Sequence, residues 1–248
     1  MSTLITTPAL VVHTRRWSDS SKIVQLFTPR GMVSVIAKGA LRPKSEFRGV
    51  VEVLNEIEAV WSFREKRGLQ ILTGATLLRG FHFLKTDLEK TAMAYAMLEV
   101  IQKVLHDAEA FPALYTYVVN WLVHLEQRKQ PSPIVFFWHF LLRLSAELGF
   151  ALQLEQCQVC HQPITTFPAY LDVGSGRLTC QQCGQSAPSG DWFILEKITY
   201  QVLLQLLQSP LPPLATLPEQ LPITEILLKH LQYHTDIPLQ LNALKWLG

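Results

Sequence analysis

Two Cys-x-x-Cys pairs, Cys157 with Cys160 and Cys180 with Cys183, constrain this chain more than any other feature. Two residues between the cysteines of a pair let both thiolates reach one ion, and two such pairs complete a tetrahedron with Zn–S bonds of about 2.3 Å. These are all four cysteines of the chain. Because four thiolates leave no open coordination position, the pattern predicts a structural Zn²⁺ site rather than a catalytic one.

Other cofactor chemistry fits the sequence less well. Residues 157–161 spell the haem-attachment pattern Cys-x-x-Cys-His, but haem would leave the second cysteine pair unused. A nucleobase deaminase needs His-x-Glu ahead of Pro-Cys-x-x-Cys, and neither cysteine pair follows a proline. A zinc-dependent hydrolase or deaminase acting on nucleic acid is the alternative function, and its candidate ligands are His230, His234, Glu225 and Asp236. Since no Glu follows His230, we interpret the two histidines as an ordinary surface pair.

The charge of the chain is unevenly distributed. The net charge is +2, but residues 1–80 carry twelve basic and six acidic side chains, and the remainder carries ten and fourteen. A basic segment predicts contact with a polyanion, although a solvated basic face is the alternative. The candidate DNA-binding residues are Arg15, Arg16, Lys22, Arg30, Lys38, Arg42, Lys44 and Arg48. Trp17 and Phe47 are candidate stacking surfaces for bases, whereas Phe27, in an apolar run, is assigned to the core.

Hydrophobic periodicity divides the chain near residue 80. Short Val-, Ile- and Leu-rich runs separated by turn residues predict strands over residues 9–14, 22–28, 32–38, 50–63 and 69–73, which fit a small closed barrel. Helical spacing then predicts helices over residues 91–105, 114–125, 134–148, 194–207 and 223–233, with a proline-rich connector over 210–222. The predicted fold class is α+β, with a barrel domain over 1–80, a helical domain over 81–248, and a cysteine-bearing insertion over 155–190.

Three segments together resemble a known family. They are residues 22–31 with 37–45, residues 140–157, and the paired Cys-x-x-Cys set with residues 170–183. In this order they resemble the bacterial recombination mediator RecO family. The sequence departs from the family pattern at Ser18-Asp19, where Gly-Glu is usual, and at His161, where Gly is common.

The resemblance implies an amino-terminal OB-fold and a helical domain with a zinc-finger-like element. It also implies a non-enzymatic protein that binds single- and double-stranded DNA and anneals complementary strands. With RecR, such a protein helps RecA load onto single strands coated with single-stranded DNA-binding protein (SSB), whose acidic tail it binds. Lys38, Arg42 and Lys44 match the family's basic loop, and Arg30 lies in the matching turn. The nearest candidate for the tail-binding groove is residues 134–143.

The sequence also carries an expectation about location. No segment resembles a membrane span: the most apolar stretch, residues 134–154, contains His139, Arg143 and Glu147, whereas a span requires about 20 nearly uncharged residues. Residues 1–12 contain no Lys or Arg ahead of their apolar run, unlike a secretory signal. We therefore expect a cytoplasmic, nucleoid-associated protein whose cysteines stay reduced.

Overall fold

The computed structural model describes residues 3–105, 109–128, 132–184, 192–213, 218 and 220–247. The chain separates into two compact units, Met1–Gln127 and Arg128–Gly248. The boundary between units lies later than the change from strands to helices near residue 80, because two helices belong to the first unit. The domain limits expected from the sequence, 1–80 for the barrel domain and 81–248 for the helical domain, stay a prediction.

The first unit contains a five-stranded closed barrel in the order β1-β2-β3-β5-β4. Only β3 and β5 run parallel, through residues 34–36 and 69–71. The strands are β1 (Thr3–Arg16), β2 (Lys22–Thr28), β3 (Gly31–Ala37), β4 (Glu56–Phe63) and β5 (Leu69–Arg79). This architecture confirms the small closed barrel and the α+β class.

Strand β2 is buried on both faces, as its continuous apolar run predicts. Val24 and Leu26 point into the barrel, and both are fully buried. On the other face, the ring of Phe27 packs 5.6 Å from that of Tyr115. Tyr115 lies on helix α2 (Pro112–Gln127), which follows α1 (Leu88–Val104). The assignment of Phe27 to the core is therefore confirmed.

The predicted strand over residues 50–63 is wrong in its first six residues. Residues 50–55 form turns, held by the Asn55 side-chain amide, which donates to the carbonyl oxygens of Gly49 and Val50, each at 2.9 Å. Leu54 there has a φ of +69°, which no strand accommodates. Apolar residues alone suggested a strand, but Val51 and Leu54 are buried as turn residues that close the end of the barrel.

The second unit joins helices to a four-stranded sheet of order β6-β8-β7-β9. Its helix α3 (Pro133–Glu147) packs against α5 (Lys197–Gln208) and α6 (Ile223–Thr235). The sheet comprises β6 (Gln153–Cys157), β7 (Ala169–Asp172), β8 (Arg177–Thr179) and β9 (Trp192–Leu195), and the one-turn helix α4 (Gln181–Gly184) follows β8. None of the helices in the described ranges has both the length and the apolar character needed to span a bilayer.

The predicted helix over residues 194–207 begins too early. Ile194 and Leu195 belong to β9, where they pair with Tyr170 and Ala169 of β7, and the helix starts at Lys197. β-Branched and aromatic residues in the Trp192–Leu195 segment suit a strand that a partner completes, which a helical count of apolar positions does not detect. Of the expected insertion, residues 185–190 lie outside the described chain, as do 214–217 and 219 of the proline-rich connector.

Candidate metal centre and nucleic-acid interface

Pairing of β6 with β8 brings the two cysteine pairs together. Cys157 ends β6 and lies opposite Leu178, so that Cys180, just after β8, approaches it from the neighbouring strand. The four Sγ atoms all lie within 4.8 Å of one another, and those of Cys160 and Cys180 are 3.9 Å apart. Sulfurs bound tetrahedrally at about 2.3 Å would be about 3.8 Å apart. The four cysteines are therefore close enough to hold one metal ion.

Each cysteine pair sits in a tight turn of the same design. The N–H of His161 donates to the carbonyl of Cys157 at 2.9 Å, and the N–H of Gly184 donates to that of Cys180 at 2.8 Å. Backbone N–H groups of Val159 and Cys180 also point at the Cys157 sulfur, at 3.4 and 3.3 Å. N–H groups aimed at a sulfur stabilise its thiolate, which is the form that binds metal.

The ionisation of the thiols reflects this crowding. Burial opposes the thiolate of Cys157, but hydrogen bonds from the backbone of Cys160, Cys180 and Val159 outweigh it and lower the pKa of Cys157 to about 6. Hydrogen bonding to Cys180 is the main cause that raises the pKa of the Cys183 thiol to about 12. Because metal ligation requires deprotonated thiols, a bound cation would stabilise the thiolate form of the four cysteines.

His161 and Gly184, which each follow a cysteine pair, are constrained for different reasons. His161 has a φ of +58°, in the left-handed region that glycine adopts without steric cost. A Cβ atom at Gly184 would lie 2.1 Å from the ring of Tyr170, so only glycine lets that ring pack against the second turn. His161 therefore carries backbone strain, while Gly184 is required by packing.

The interpretation of His230 and His234 as a surface pair is wrong. His230 is 1% exposed, and its two ring nitrogens lie 2.7 Å from the carbonyl oxygens of Val173 and Phe150. Both nitrogens of His230 are therefore engaged by backbone and are not available to a metal. In the part of the chain that the structure describes, the four cysteines are the one group of side chains placed to hold an ion.

Two of the candidate DNA-binding residues, Lys38 and Arg42, lie together at one end of the barrel. There Trp17, Lys38 and Arg42 line a concavity of about 410 Å³. Two loops build it, because the N–H of Leu41 donates to the carbonyl of Ser20 at 2.9 Å and ties the loop after β3 to the loop after β1. Trp17 is 56% exposed, so more than half of its surface is open to solvent.

The other cations of the predicted set differ in availability. The Arg15 guanidinium lies 6.0 Å from the centre of the Trp17 ring, and Lys44 and Arg48 are exposed. Arg16 pairs with Asp19 at 2.7 Å, although both side chains are well exposed. The Lys22 ammonium lies 2.8 Å from Glu52 with its side chain 17% exposed.

Arg30 is separated from the rest of the set. Strands β1 and β3 run in the same direction, since each is antiparallel to β2. Arg30 precedes β3, whereas Lys38 follows it, so the two lie at opposite ends of the barrel. The eight candidate residues therefore do not all lie on one surface, and the assignment of Arg30 to DNA contacts stays a prediction.

The candidate stacking residue Phe47 is also placed differently from expectation. Its side chain is 5% exposed and packs in the barrel core with Val51 and Ala40. A base could not stack on it without unfolding the loop. The loop residues Ser18, Ser20 and Ser21 line the concavity and were not predicted. Short polar loop residues carry no sequence signal of this kind, because the site forms only when two distant loops meet.

Comparison with known proteins supplies the family. The profile described as Recombination protein O N terminal matches residues 1–81, and that described as Recombination protein O C terminal matches residues 85–243. A DNA repair protein RecO of Chlorobium phaeobacteroides is 26% identical over 245 residues, which cover 95% of this chain and 93% of that protein.

Two further relatives match over shorter segments. The DNA repair protein RecO of Prosthecochloris aestuarii is 30% identical over 162 residues, which cover 65% of this chain and 61% of that protein. That of Exiguobacterium sibiricum is 30% identical over 174 residues, which cover 70% and 68%. With both family profiles matched in order along the chain, this protein belongs to the RecO family of DNA repair proteins.

Proposed function

We propose that this chain is a non-enzymatic recombination mediator that binds single- and double-stranded DNA and anneals complementary strands. The observation that carries the proposal is the exposed Trp17 ring beside Lys38 and Arg42 in one concavity. Cations that contact phosphates, combined with an aromatic face on which bases stack, are typical of proteins that bind single strands with little sequence preference.

The same surface suits annealing. Six exposed cations lie on the two loops or beside them. Arg16 pairs with Asp19, and the other five are Arg15, Lys38, Arg42, Lys44 and Arg48. Two complementary strands repel each other through their phosphates, and a cationic surface lowers that repulsion while the bases remain free to pair. Binding through phosphates also requires no catalytic group, which agrees with a mediator role.

We propose Zn²⁺ as the ion held by the four cysteines, in a structural role. Four thiolates at tetrahedral spacing select zinc over harder cations and leave no position for water. Cys157, Cys160, Cys180 and Cys183 would bind it and thereby fix β6 to β8. The alternative hydrolase or deaminase needs an open metal position, which the engaged nitrogens of His230 do not provide.

We propose that the SSB tail binds between α3 and α5. A small cavity of about 60 Å³ there is lined by Leu142, Ala146 and Leu206, with Arg143 at its edge. Arg143 pairs with Glu147 at 3.3 Å and is half exposed, so an acidic tail would compete with that carboxylate. From the family we also propose RecR as a direct partner and RecA as an indirect one. We propose a cytoplasmic, nucleoid-associated location because chromosomal DNA would be the substrate.

Fluorescence anisotropy with a labelled 30-nucleotide oligo(dT) tests the DNA proposal. The variant with Lys38, Arg42 and Lys44 all changed to Glu is expected to bind at least about 100-fold more weakly, because favourable phosphate contacts become repulsive. The matched control changes Arg177, Lys197 and Lys245, exposed residues of the second unit, to Glu. Equal affinity of the wild type and the first variant would contradict the proposal.

A separate titration tests the tail. A labelled acidic peptide with the sequence of the cognate SSB tail should bind the wild-type chain, bind Arg143→Glu at least about tenfold more weakly, and bind Glu147→Gln as tightly or more tightly. Equal binding by all three proteins would exclude the α3–α5 groove.

A further inference from the structure

One edge of strand β1 has no partner over its first half. Residues 3–10 pair with β4, but pairing with β2 begins only at Leu10. Residues 3–9 therefore direct alternate N–H and C=O groups away from β4 without a neighbouring strand in the described chain. Pro8, which has no N–H, is tolerated there because an edge position needs no donor. Residues 3, 4, 6 and 8 are exposed, so the edge is accessible.

Strand β3 also has a segment with one unpaired edge. Strand β3 pairs with β2 throughout but with β5 only from Ser34 onward, which leaves Gly31, Met32 and Val33 with one edge unpaired among the described residues. Thr3 and Ile5 of β1 and residues 30–34 all line a cleft of about 690 Å³ at this end of the barrel. The cleft is thus bordered by two strand segments with backbone groups to offer.

The interior of the cleft is apolar, with one unsatisfied polar atom behind it. Ile5, Trp61 and Phe63 line it, and Phe63 is 39% exposed. The indole N–H of Trp61 is buried and has no acceptor within the residues that the structure describes. Alternate side chains of an extended peptide would find an apolar pocket here, whereas the buried ring of Trp61 offers no face on which a base could stack.

The entrance of the cleft is positively charged. Arg30 and Arg67 line it together with Glu65, and Arg64 and Lys66 lie in the same exposed turn between β4 and β5. Four cations against one carboxylate favour an acidic ligand. These cations lie at the opposite end of the barrel from Lys38 and Arg42, so both ends can be occupied together.

We propose that this cleft binds an extended acidic peptide of a partner protein, which adds to the free edge of β1 as a further strand. Backbone hydrogen bonds to residues 3–7 provide affinity, apolar residues at alternate positions fill the space beside Ile5 and Phe63, and acidic residues meet Arg30 and Arg67. The proposal does not depend on DNA binding at the other end of the barrel.

Fluorescein-labelled octapeptides that alternate Glu with Phe, Leu, Ile or Val are the probes, tested against the full chain by anisotropy. We expect saturable micromolar binding by at least one peptide. N-methylation of alternate backbone amides tests the mode directly, because it blocks one edge of the peptide while its side chains and charge are kept. One set of N-methyl groups should abolish binding, and the complementary set should leave it within about threefold.

Protein variants locate the site. Arg30→Glu with Arg67→Glu should weaken peptide binding at least tenfold, while Lys38→Glu with Arg42→Glu, the matched pair at the other end, should leave it unchanged. The proposal would be overturned if the two N-methylated sets had equal effects, or if no peptide showed saturable binding up to 1 mM. It would also be overturned if oligo(dT) displaced the peptide by binding to Arg30 and Arg67.

Discussion

The salt dependence of single-strand binding follows from the number of cations that the structure makes available. Five exposed cations lie on the two loops that build the Trp17 concavity or beside them, whereas Arg16 pairs with Asp19, Lys22 pairs with Glu52, and Arg30 lies at the far end of the barrel. If each of the five contacts one phosphate, the logarithm of the binding constant falls with the logarithm of salt concentration with a slope of about −3.5. Affinity should therefore fall about 100-fold between 50 and 200 mM salt.

Removing three of these cations changes the slope by a calculable amount. Changing Lys38, Arg42 and Lys44 to Gln leaves two contacts and a slope of about −1.4, so the same change in salt costs only about sevenfold in affinity. The assay is oligo(dT) anisotropy at four or more salt concentrations. The control with Arg177, Lys197 and Lys245 changed to Gln should keep the wild-type slope. A triple variant with the wild-type slope would refute the assignment of these residues to phosphate contacts.

Three further predictions concern stability. Cys160→Ala removes one ligand of the metal centre, so it should abolish the binding of one zinc per chain, measured by elemental analysis. It should also lower the melting temperature of the second unit by at least about 10 °C. An unchanged zinc content would contradict the site. Tyr115 donates to the buried Glu56 carboxylate at 3.1 Å, so Tyr115→Phe should cost about 1.5 kcal/mol of unfolding free energy, whereas the exposed Tyr233→Phe should cost little; equal losses would contradict this. Burial lowers the pKa of His139 below its usual 6.5, although the backbone carbonyl oxygen of Ser209 lies 2.9 Å from its ring nitrogen. The native state therefore binds fewer protons than the unfolded state, and the free energy of unfolding falls as the pH drops below about 6.5. Denaturation between pH 5 and 7.5 should show a shallower fall for His139→Gln, and parallel curves would count against it.

Features set by local chemistry were predictable from the sequence. The hairpin of β2 and β3 rests on a Pro-Arg-Gly turn between two apolar runs, and its strand β2 begins and ends where predicted. The four cysteines were predictable because the spacing within each pair sets the turn, and the turn sets the direction of the sulfurs. In both cases neighbouring residues determine the geometry.

Features that depend on distant residues were not predictable. Glu52 neutralises Lys22 from thirty residues away, and no local pattern marks the pair. Phe47 was misassigned because a loop that folds over the barrel end buries it, and an aromatic residue among basic ones looks the same in sequence whether it is exposed or buried. His230 was predicted to be a surface residue, but its ring nitrogens lie against the backbone carbonyl oxygens of Phe150 and Val173, which are distant in the sequence.

Annealing of complementary strands coated with the cognate SSB tests the central claim most directly. That claim is that the cationic end of the barrel, with Trp17, Lys38 and Arg42, handles DNA without a catalytic step. We predict that the wild-type chain speeds annealing without any nucleotide cofactor. The variant with Lys38, Arg42 and Lys44 changed to Glu should anneal at least about tenfold more slowly. Coating the strands with SSB that lacks its tail should block annealing by the wild-type chain. Wild-type annealing rates from that triple variant would contradict the account.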